Sequence, residues 1–329
     1  MTEQLWRPSA SMMALRERAH LLRKIRAYFD GQGVMEVETP ILSSSATVDV
    51  YIDSFASEFT PIGHDQNQLC YLRTSPEFAM KRLLASGSGD IYSLGRVFRN
   101  GEAGGRHNPE FTMLEWYRVG MTDQTLMDDM SSLLSSICNY KEVRRVGYGE
   151  LFENALGINP YLASDEELGS MVGERIDAKL QGLERNDCLD LLFSKFIEPE
   201  LGGISEDGLE GCFVYDYPVT MSALARESLN KKGQPVSSRF ELFINGVELA
   251  NGYHELTDGD EQEKRFEDER IKRQQRGYDL YPYDQHMVDA LKHGMPDCAG
   301  VALGIDRLLM LLLGANNIAD VLAFDFQRA

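Results

Sequence analysis

The chain has 329 residues, of which 43% are hydrophobic, and this is enough to bury a sizeable core in one large or two ordinary domains. Its 33 Lys and Arg against 52 Asp and Glu give a formal net charge of −19, which argues against a broad nucleic-acid-binding face. No apolar run of membrane-spanning length and no secretory signal is indicated, so we expect a cytoplasmic protein. Its five widely spaced cysteines are best explained as buried side chains.

The first elements show clear helical and strand patterns. Apolar residues recur every three or four positions over residues 11–30 and predict an amphipathic helix. Residues 34–42 predict a short strand that Pro40 ends or places at an edge. The segment from residue 68 predicts a strand and then a helix, with Ser75 as its N-cap and Pro76 at the first helical position.

The remainder of the chain mixes both element types. Residues 90–100 predict a strand, and residues 121–212 are mostly helical and irregular, without repeats. Residues 238–256 predict a hairpin, and the charged helix 261–277 is interpreted as a solvated face. A strand then leads into the last apolar helix. Because strands and helices do not alternate regularly, the fold class is predicted to be α+β.

The hairpin places two carboxylates together. With Asn245-Gly246 as the turn, Phe243 pairs with Glu248 and Glu241 pairs with Ala250, so Glu241 and Glu248 become diagonal neighbours on one face. Two acids this close are favoured by a cation between them, and Mg²⁺ takes a couple of carboxylates with phosphate oxygens. The alternative is a solvated hairpin face with scattered acids.

A second cluster of polar side chains lies in residues 98–117. Its arginines and His107 suit phosphate binding, and Phe111 suits stacking on a base. Glu115 and Tyr117 share one face of the returning strand and are suited to a cationic group. Taken singly, each residue also has an ordinary structural explanation, with Phe111 in the core and His107 as a surface hydrogen-bonding group.

The third segment, "GVALGIDR", combines small residues with one arginine. Gly300 and Gly304 remove side chains where a flat ligand would press on the strand, and Arg307 starts the following helix. Backbone packing explains a lone G-x-x-x-G equally well.

Three segments in this order resemble motifs 1, 2 and 3 of class II aminoacyl-tRNA synthetases: "GVMEVETP" near 33–40, "FRN" to "RHNPEFTMLEWY" near 98–117, and "GVALGIDR" near 300–311. "RTSPE" and "GVELANGYHEL" are similar to segments of the lysyl subgroup. The resemblance implies one catalytic domain over residues 1–329, built as an antiparallel sheet flanked by helices, with an insertion at about 118–212. Since motif 1 begins so early, we expect no anticodon-binding domain and no tRNA partner.

Within this family the chain is similar to the lysyl-tRNA synthetase paralogues that attach (R)-β-lysine to a lysine side chain of elongation factor P. Ser75 stands where lysyl-tRNA synthetases usually have Ala, and Ala302 where they usually have Gly, which favours that branch. The resemblance implies ATP and Mg²⁺, an aminoacyl-adenylate, amide formation with elongation factor P, and a homodimer through the motif 1 helix. We expect no membrane partner.

The resemblance also implies a role for each matching residue, with Arg99 and Arg307 as catalytic groups. For ATP it implies Arg99, Asn100, Gly101, His107, Asn108, Phe111, Glu248, Leu249, Gly304 and Arg307. For the amino acid it implies Ser75, Pro76, Glu77, Glu115, Tyr117, Asn251, Tyr253 and Glu255. Glu241 and Glu248 would bind Mg²⁺. One departure is that the family's R-N-E reads Arg99-Asn100-Gly101, with Glu102 one place later.

Three other functions remain open from the sequence. One is a silent paralogue that senses an amino acid. The intact metal pair Glu241 and Glu248 and the two arginines Arg99 and Arg307 argue against it. Another is a short synthetase that activates α-lysine for tRNA. The third is an ammonia ligase of the asparagine synthetase A type, but Glu115 and Glu255 favour a cationic substrate over aspartate. The sequence names no base for the attacking amine.

Overall fold

The computed structural model describes residues 6–63, 67–180 and 182–329. The first five residues of the N-terminal stretch and residue 181 of the predicted insertion lie outside the described residues, whereas every predicted site residue lies within them. The chain forms two compact units. Unit 1 consists of Met1–Met121 and Leu256–Ala329, and unit 2 consists of Thr122–Glu255.

Helices and strands are numbered along the whole chain. Unit 1 contains α1 Met12–Gly31, β1 Met35–Glu36, β2 Leu42–Ser43, β3 Ala56–Phe59, β4 Gln68–Leu72, α2 Glu77–Ala85, β5 Ile91–Phe98, β6 Glu110–Val119, α7 Gly259–Gln275, α8 Gln285–Gly294, β13 Cys298–Gly304 and α9 Ile305–Leu313. Unit 2 contains α3 Asp123–Ile137, β7 Tyr140–Gly147, α4 Tyr148–Leu156, α5 Asp165–Arg175, α6 Arg185–Phe196, β8 Gly203–Ser205, β9 Gly208–Tyr217, β10 Glu227–Leu229, β11 Pro235–Ile244 and β12 Val247–His254.

Antiparallel pairing dominates both units. In unit 1 the strands follow the order β1, β5, β6, β13, and only the β1–β5 pair is parallel, while β2, β4 and β3 form a separate small sheet. In unit 2 the order is β12, β11, β9, β7, with β10 paired to β11 and β8 to β9. The described part of the chain therefore has the predicted α+β character, with long antiparallel strands and flanking helices.

A buried carboxylate joins three elements of unit 1. Asp306, at the start of α9, forms an ion pair with Arg18 of α1 and accepts a hydrogen bond of 2.6 Å from the main-chain N–H of Thr112 in β6. Arg18 also donates from Nε to the carbonyl of Val321 at 3.0 Å. Because Asp306 is only 1% exposed, this bonding fixes β6 relative to the N-terminus of α9.

Unit 2 has its own aromatic core. Tyr148 and Phe152 of α4 stack against Phe193 of α6, with ring centroids 5.3 Å and 6.4 Å from Phe193. Tyr148 also contacts the ring of Tyr217 on β9 at 4.8 Å, and Phe243 of β11 contacts Phe193 at 5.7 Å. The helices of the predicted insertion thus pack directly on the strands that carry the hairpin.

Several predicted elements are confirmed, including α1 with Ser11 as its N-cap, the β11–β12 hairpin around Asn245-Gly246, and the passage from β13 into α9. The mostly helical interpretation of 121–212 is confirmed by α3, α4, α5 and α6, but it missed three strands in that stretch, namely β7, β8 and the first half of β9. These strands are short or partly exposed and lack a clean alternation of apolar residues.

Two boundaries before the site also differ from the prediction. The strand expected at 34–42 forms only as the two-residue β1 and β2, which pair in two different sheets, and Pro40 between them has no N–H to continue a ladder. The carbonyl of Thr39 accepts from Arg73 at 2.9 Å instead. Helix α2 starts at Glu77 with Pro76 as its N-cap, one residue later than predicted. Ser75 still accepts a hydrogen bond of 3.2 Å from the N–H of Glu77.

The charged helix α7 is not solvated throughout. Gln262 and Arg273 on this helix are fully buried, so the interpretation of residues 261–277 as a solvated face is wrong at these positions. None of the helices formed by the described residues is long and apolar enough to cross a membrane.

Candidate active site

One face of the unit 1 sheet carries four of the predicted ligand-binding side chains. Successive side chains of a strand point to opposite faces, so Phe111, Glu115 and Tyr117 of β6 share one face. Phe111 pairs with Val97 of β5, which places Arg99, two residues on, above the same face. The guanidinium of Arg99 lies 5.2 Å from the centroid of the Phe111 ring.

The neighbours of Glu115 and Tyr117 on this face are mostly small. Glu115 lies between Ser93 of β5 and Ala302 of β13 in the sheet register. Tyr117 lies between Ile91 and Gly300, and Met113 lies between Gly95 and Gly304. Small residues beside a long acidic side chain leave room above the sheet for a ligand.

Glu115 has the environment of a buried anion. It is 3% exposed, and the hydroxyl of Tyr117 donates to its Oε1 at 2.8 Å. Arg73 carries a nearby positive charge: burial lowers the pKa of Arg73, and the charge of Glu115 opposes that shift. A Cβ at Gly95 would come 3.0 Å from the Arg73 guanidinium, which places Arg73 above this face.

Sequence reasoning missed Arg73. It bonds the carbonyl of Arg96 at 3.1 Å and both oxygen atoms of Thr39, so it connects β5 to the segment after β1. Arg73 is the first residue of the "RTSPE" segment that resembles the lysyl subgroup, and this position was the sequence signal that could have identified it as a site residue.

Arg99 begins the second predicted motif and has one polar atom without a partner. Its Nε is buried and makes no hydrogen bond to any residue that the structure describes, although its Nη1 lies 3.5 Å from Glu102 Oε1. Gly101 has φ +82°, a conformation that favours glycine. The departure from the family's R-N-E therefore accompanies a left-handed turn, after which Glu102 reaches back to Arg99.

The loop after Arg99 brings His107 and Arg307 together. Gly104 and His107 exchange main-chain hydrogen bonds, and the carbonyl of Gly105 accepts from Ile318 at 2.7 Å. Arg307 Nη2 lies 2.7 Å from His107 Nε2, so the ring nitrogen accepts when the imidazole is neutral. The predicted pair of outer-phosphate ligands is therefore adjacent in space.

Asn108 and Asn100 are held by main-chain bonds. The amide of Asn108 donates to the carbonyl of Glu110 at 2.7 Å and accepts from the N–H of Phe326 at 3.0 Å. The N–H of Asn100 donates to the carbonyl of Asp53 at 2.8 Å. The Asn108 side chain thus connects the end of the loop to the C-terminal segment, and its contact with adenine stays a prediction.

Glu77 has a partner that sequence reasoning missed. Lys81, one helical turn later on α2, is fully buried, and its ammonium lies 2.7 Å from Glu77 Oε1. The i,i+4 spacing was a usable signal for this pair. The family resemblance assigns the Glu77 carboxylate to a substrate amino group. In this structure that carboxylate also forms an ion pair with Lys81.

In unit 2 the hairpin register differs from the prediction at one point. Phe243 pairs with Glu248 as expected, but a β-bulge at Leu249 makes Glu241 pair with Asn251 rather than with Ala250. The bulge adds one residue to β12, which a count from the turn does not reveal. Glu241 and Asn251 are thereby direct cross-strand partners.

Arg239, which sequence reasoning also missed, organises these side chains. It forms an ion pair with Glu241, donates from Nε to Asn251 Oδ1 at 3.2 Å, and donates to the carbonyl of Met221 at 3.0 Å. The hydroxyl of Tyr217 donates to the other carboxylate oxygen of Glu241 at 2.7 Å. The two-residue spacing of Arg239 and Glu241 on one strand was the signal that places them on the same face.

The electrostatics of this cluster are set by burial. Burial and the charge of Glu248 raise the pKa of Glu241 to about 7, against the opposing effect of Arg239. Burial alone would lower the pKa of Arg239, but Glu241 and the surrounding acidic groups raise it overall. An acid pair with this repulsion and one balancing arginine is suited to receive a further cation.

The remaining predicted ligands of unit 2 continue along β12. Asn251 donates from Nδ2 to the hydroxyl of Tyr253 at 3.0 Å, which fixes the orientation of its amide. Glu255 is fully buried, and its main-chain carbonyl accepts from Arg226 at 3.1 Å. No group of three or more potential metal-ligating His, Cys, Asp or Glu residues occurs within residues 6–63, 67–180 and 182–329.

Comparisons with known proteins identify the family of the chain. The family model for class II tRNA synthetases (D, K and N) matches residues 4–328. The chain belongs to this family. It is 46% identical to an elongation factor P–(R)-β-lysine ligase of Pseudoalteromonas translucida and 45% identical to one of Vibrio cholerae, with 100% of both chains covered in each case. It is 44% identical to the ligase of that name from Yersinia enterocolitica, over 98% of each chain.

Membership in this family agrees with the order of the three motifs along the chain. Ligases that resemble class II synthetases use ATP.

We expect Arg239→Met to lower the free energy of unfolding by about 3–5 kcal/mol, because it leaves the buried Glu241 carboxylate without its cation. Adding Glu241→Gln should recover most of this loss by removing the uncompensated charge. Urea denaturation of the single and double variants measures both effects. A double variant as unstable as Arg239→Met alone would contradict the assigned role of the ion pair.

Proposed function

We propose that this chain is an ATP-dependent ligase that activates (R)-β-lysine as an aminoacyl-adenylate and transfers it to a lysine ε-amine of elongation factor P. Three relatives that carry this ligase name are 44–46% identical to the chain over 98–100% of each sequence. Relatives of that similarity over the full length support the same substrate class and the same acceptor.

The observation that carries the proposal is the sheet face of unit 1. A buried carboxylate, Glu115, lies beside the hydroxyl of Tyr117, and Arg99 stands above the same face with a buried Nε that has no partner within the described residues. The face thus offers an acid for an ammonium group and a guanidinium for a carboxylate or phosphate. An amino acid with a second amine far from its carboxylate has both an ammonium group for the acid and a carboxylate for the guanidinium.

The reaction needs two steps. An oxygen of the substrate carboxylate attacks the α-phosphorus of ATP, the bond to the β-phosphate breaks, and pyrophosphate leaves. Arg99 stabilises the charge that develops at the α-phosphate, and His107 with Arg307 binds the outer phosphates. The deprotonated lysine amine of the partner protein then attacks the activated carbonyl, an amide bond forms, and AMP leaves.

We propose that Glu241 and Glu248 hold Mg²⁺. The donor set fits this ion, because Mg²⁺ is bound in proteins by one or two carboxylates together with phosphate oxygens and water. Each oxygen of Glu241 accepts one hydrogen bond and retains a lone pair for a metal. When bound, the ion would neutralise charge on the ATP phosphates.

The preference for the β-isomer is assigned to small side chains near the acids. Ala302 is the cross-strand neighbour of Glu115, so its methyl group stands beside the carboxylate that would receive the distant ammonium. Ser75 precedes α2, and its hydroxyl accepts a hydrogen bond from the N–H of Glu77. Both isomers carry the same distant ammonium, and the nearer amine is attached to the first carbon after the carboxyl group in one and to the second in the other. A side chain that limits how deep the distant ammonium can lie therefore decides where the nearer amine falls, and a shift of about one methylene is worth roughly 1–3 kcal/mol in a fitted pocket.

We also propose a homodimer, with α1 and the strands after it at the interface. Met12 and Met13 of α1 are exposed, as are Met35, Leu42 and Leu69 of the short strands that follow. Exposed apolar side chains concentrated in one part of a unit are typical of an interaction surface. A second copy fits because the family resemblance places the motif 1 helix at such an interface.

Amino-acid-dependent ATP–pyrophosphate exchange tests the activity. We expect (R)-β-lysine to support faster exchange than α-lysine or aspartate, and mass spectrometry to show elongation factor P gaining one β-lysyl residue. Exchange with α-lysine together with charging of tRNA would indicate a synthetase instead. No exchange with any amino acid would leave a non-catalytic sensor.

Ala302→Gly tests the assignment of isomer preference. We expect the ratio of kcat/KM for (R)-β-lysine over α-lysine to fall by about 10-fold or more, because the loss of the methyl group beside Glu115 makes room for the other isomer. Ala299→Gly is the matched control, since it removes a methyl group from the opposite face of the same strand. An unchanged ratio, or an equal change in the control, would refute the assignment.

Light scattering after size exclusion tests the dimer. We expect the native chain to have the mass of two copies and the double variant Met13→Glu/Leu42→Glu to have the mass of one, because burying two new charges in an apolar interface is unfavourable. A native chain with the mass of one copy would contradict the proposal.

A further inference from the structure

Arg273 is the one arginine among the described residues whose side chain is fully buried, and it lies on the otherwise strongly charged helix α7. Its Nε donates to the carbonyl of Asp279 at 2.7 Å, and its Nη1 donates to the carbonyls of Asp49 and Ile52 at 2.7 Å and 3.4 Å. Its Nη2 donates to the carboxylate of Asp53 at 2.5 Å. These bonds use the planar array of guanidinium donors, which a lysine does not have.

The segment that Arg273 holds, residues 46–53, is here named the strap. Ala46, Val48 and Val50 of the strap are buried, although it forms no regular strand. The N–H of Ala46 donates to the carbonyl of Pro282 at 2.9 Å, and the N–H of Val50 donates to the carboxylate of Glu269 at 3.2 Å. The strap is therefore attached to α7 and to the chain after it through both backbone and side-chain groups.

Asp53, the last residue of the strap, makes two kinds of contact. Its carboxylate accepts from Arg273 and, at 3.3 Å, from the hydroxyl of Tyr281. Its main-chain carbonyl accepts from the N–H of Asn100 at 2.8 Å, in an isolated antiparallel bridge between Asp53 and Asn100. The residue before Asn100 is Arg99, whose N–H bonds the carbonyl of Pro109. A continuous path of hydrogen bonds thus leads from Arg273 to the backbone that carries Arg99.

Packing alone does not explain this arginine. A buried guanidinium carries a large desolvation cost, and apolar residues of similar volume often stabilise a fold equally well or better. The aromatic ring of Tyr281 lies 4.6 Å from the Arg273 guanidinium and closes one side of it. What the arginine adds is a fixed geometry for three carbonyls and one carboxylate at the same time.

We propose that Arg273 is a positioning residue that, through the strap and Asp53, fixes the main chain at Asn100 and so holds the Arg99 guanidinium in place for ATP. This inference rests on the proposed function of Arg99. Arg273 itself touches neither ATP nor the amino acid in this assignment. Its effect on ATP binding therefore depends on the presence of the Arg99 side chain.

The test is a double-mutant cycle of Arg273→Lys with Arg99→Ala, read as ATP affinity by calorimetry. Arg273→Lys keeps the charge but loses the planar donors. We expect it to weaken ATP binding about 5-fold or more in the native chain and less than about 2-fold in the Arg99→Ala chain, because coupled residues are not additive. Exchange with (R)-β-lysine should show a kcat lowered about 10-fold.

Lys292→Met is the control for a disturbed α7. Lys292 of α8 forms ion pairs with Asp260 and Glu263 of α7, away from the strap. We expect its ATP affinity and exchange rate to stay within about 2-fold of the native chain, since partly exposed ion pairs contribute little. Thermal unfolding of every variant separates a change in folded fraction from a change in affinity.

Each other outcome has a definite meaning. An equal loss of ATP affinity in both backgrounds would overturn the positioning role and leave Arg273 a stability residue. A native chain that binds ATP but shows no exchange would refute the proposed function, while the affinity cycle would still decide the role of Arg273. If Arg273→Lys fails to fold, Asp53→Asn replaces it in the cycle, because it weakens the contact with Arg273 and keeps the main-chain bond to Asn100.

Discussion

The ion pair between Arg18 and the buried Asp306 is the contact on which the rest of unit 1 depends. Asp306 also accepts a hydrogen bond from the main chain of Thr112. Arg307 follows Asp306 in the sequence, and Phe111 precedes Thr112 on β6. A displacement of this carboxylate would therefore move two of the proposed nucleotide ligands together. The cost of leaving a buried acid unpaired makes such a displacement unfavourable, so the geometry of the face is stiff.

Three other arginines also combine contacts to the main chain with a nearby carboxylate. Arg73, Arg239 and Arg273 each bond at least one main-chain carbonyl while also lying near a carboxylate. A guanidinium can do both because it has five donors in one plane, and a buried main-chain carbonyl needs a donor. In a chain with a net charge of −19, arginines placed inside the fold rather than on its surface serve to position backbone segments.

The sequence is informative where a local rule decides the structure. The Asn245-Gly246 turn, the alternation that places Glu115 and Tyr117 together, and the strand-to-helix passage at Arg307 all follow from two-residue or helical periodicity. The bulge at Leu249 and the partners of Arg273 do not, because they depend on residues far apart in the chain. The roles of the predicted ligands came from the family resemblance, whereas the bonds that Arg73, Arg239 and Arg273 make became visible only in three dimensions.

The two kinds of information meet at Glu115. Alternation along β6 fixes its side of the sheet, but the sheet register decides which side chains stand beside it, namely Ser93 and Ala302. A carboxylate selects a substrate that has a positively charged amine. It discriminates poorly between amines on neighbouring carbon atoms of the substrate, because Coulomb attraction varies slowly with distance. Small neighbours act over a single methylene through steric contact. In the proposed function, charge recognition and isomer recognition are thus separable on this face, and Ala302 on the strand next to Glu115 is the position at which isomer preference would change without a change in charge recognition.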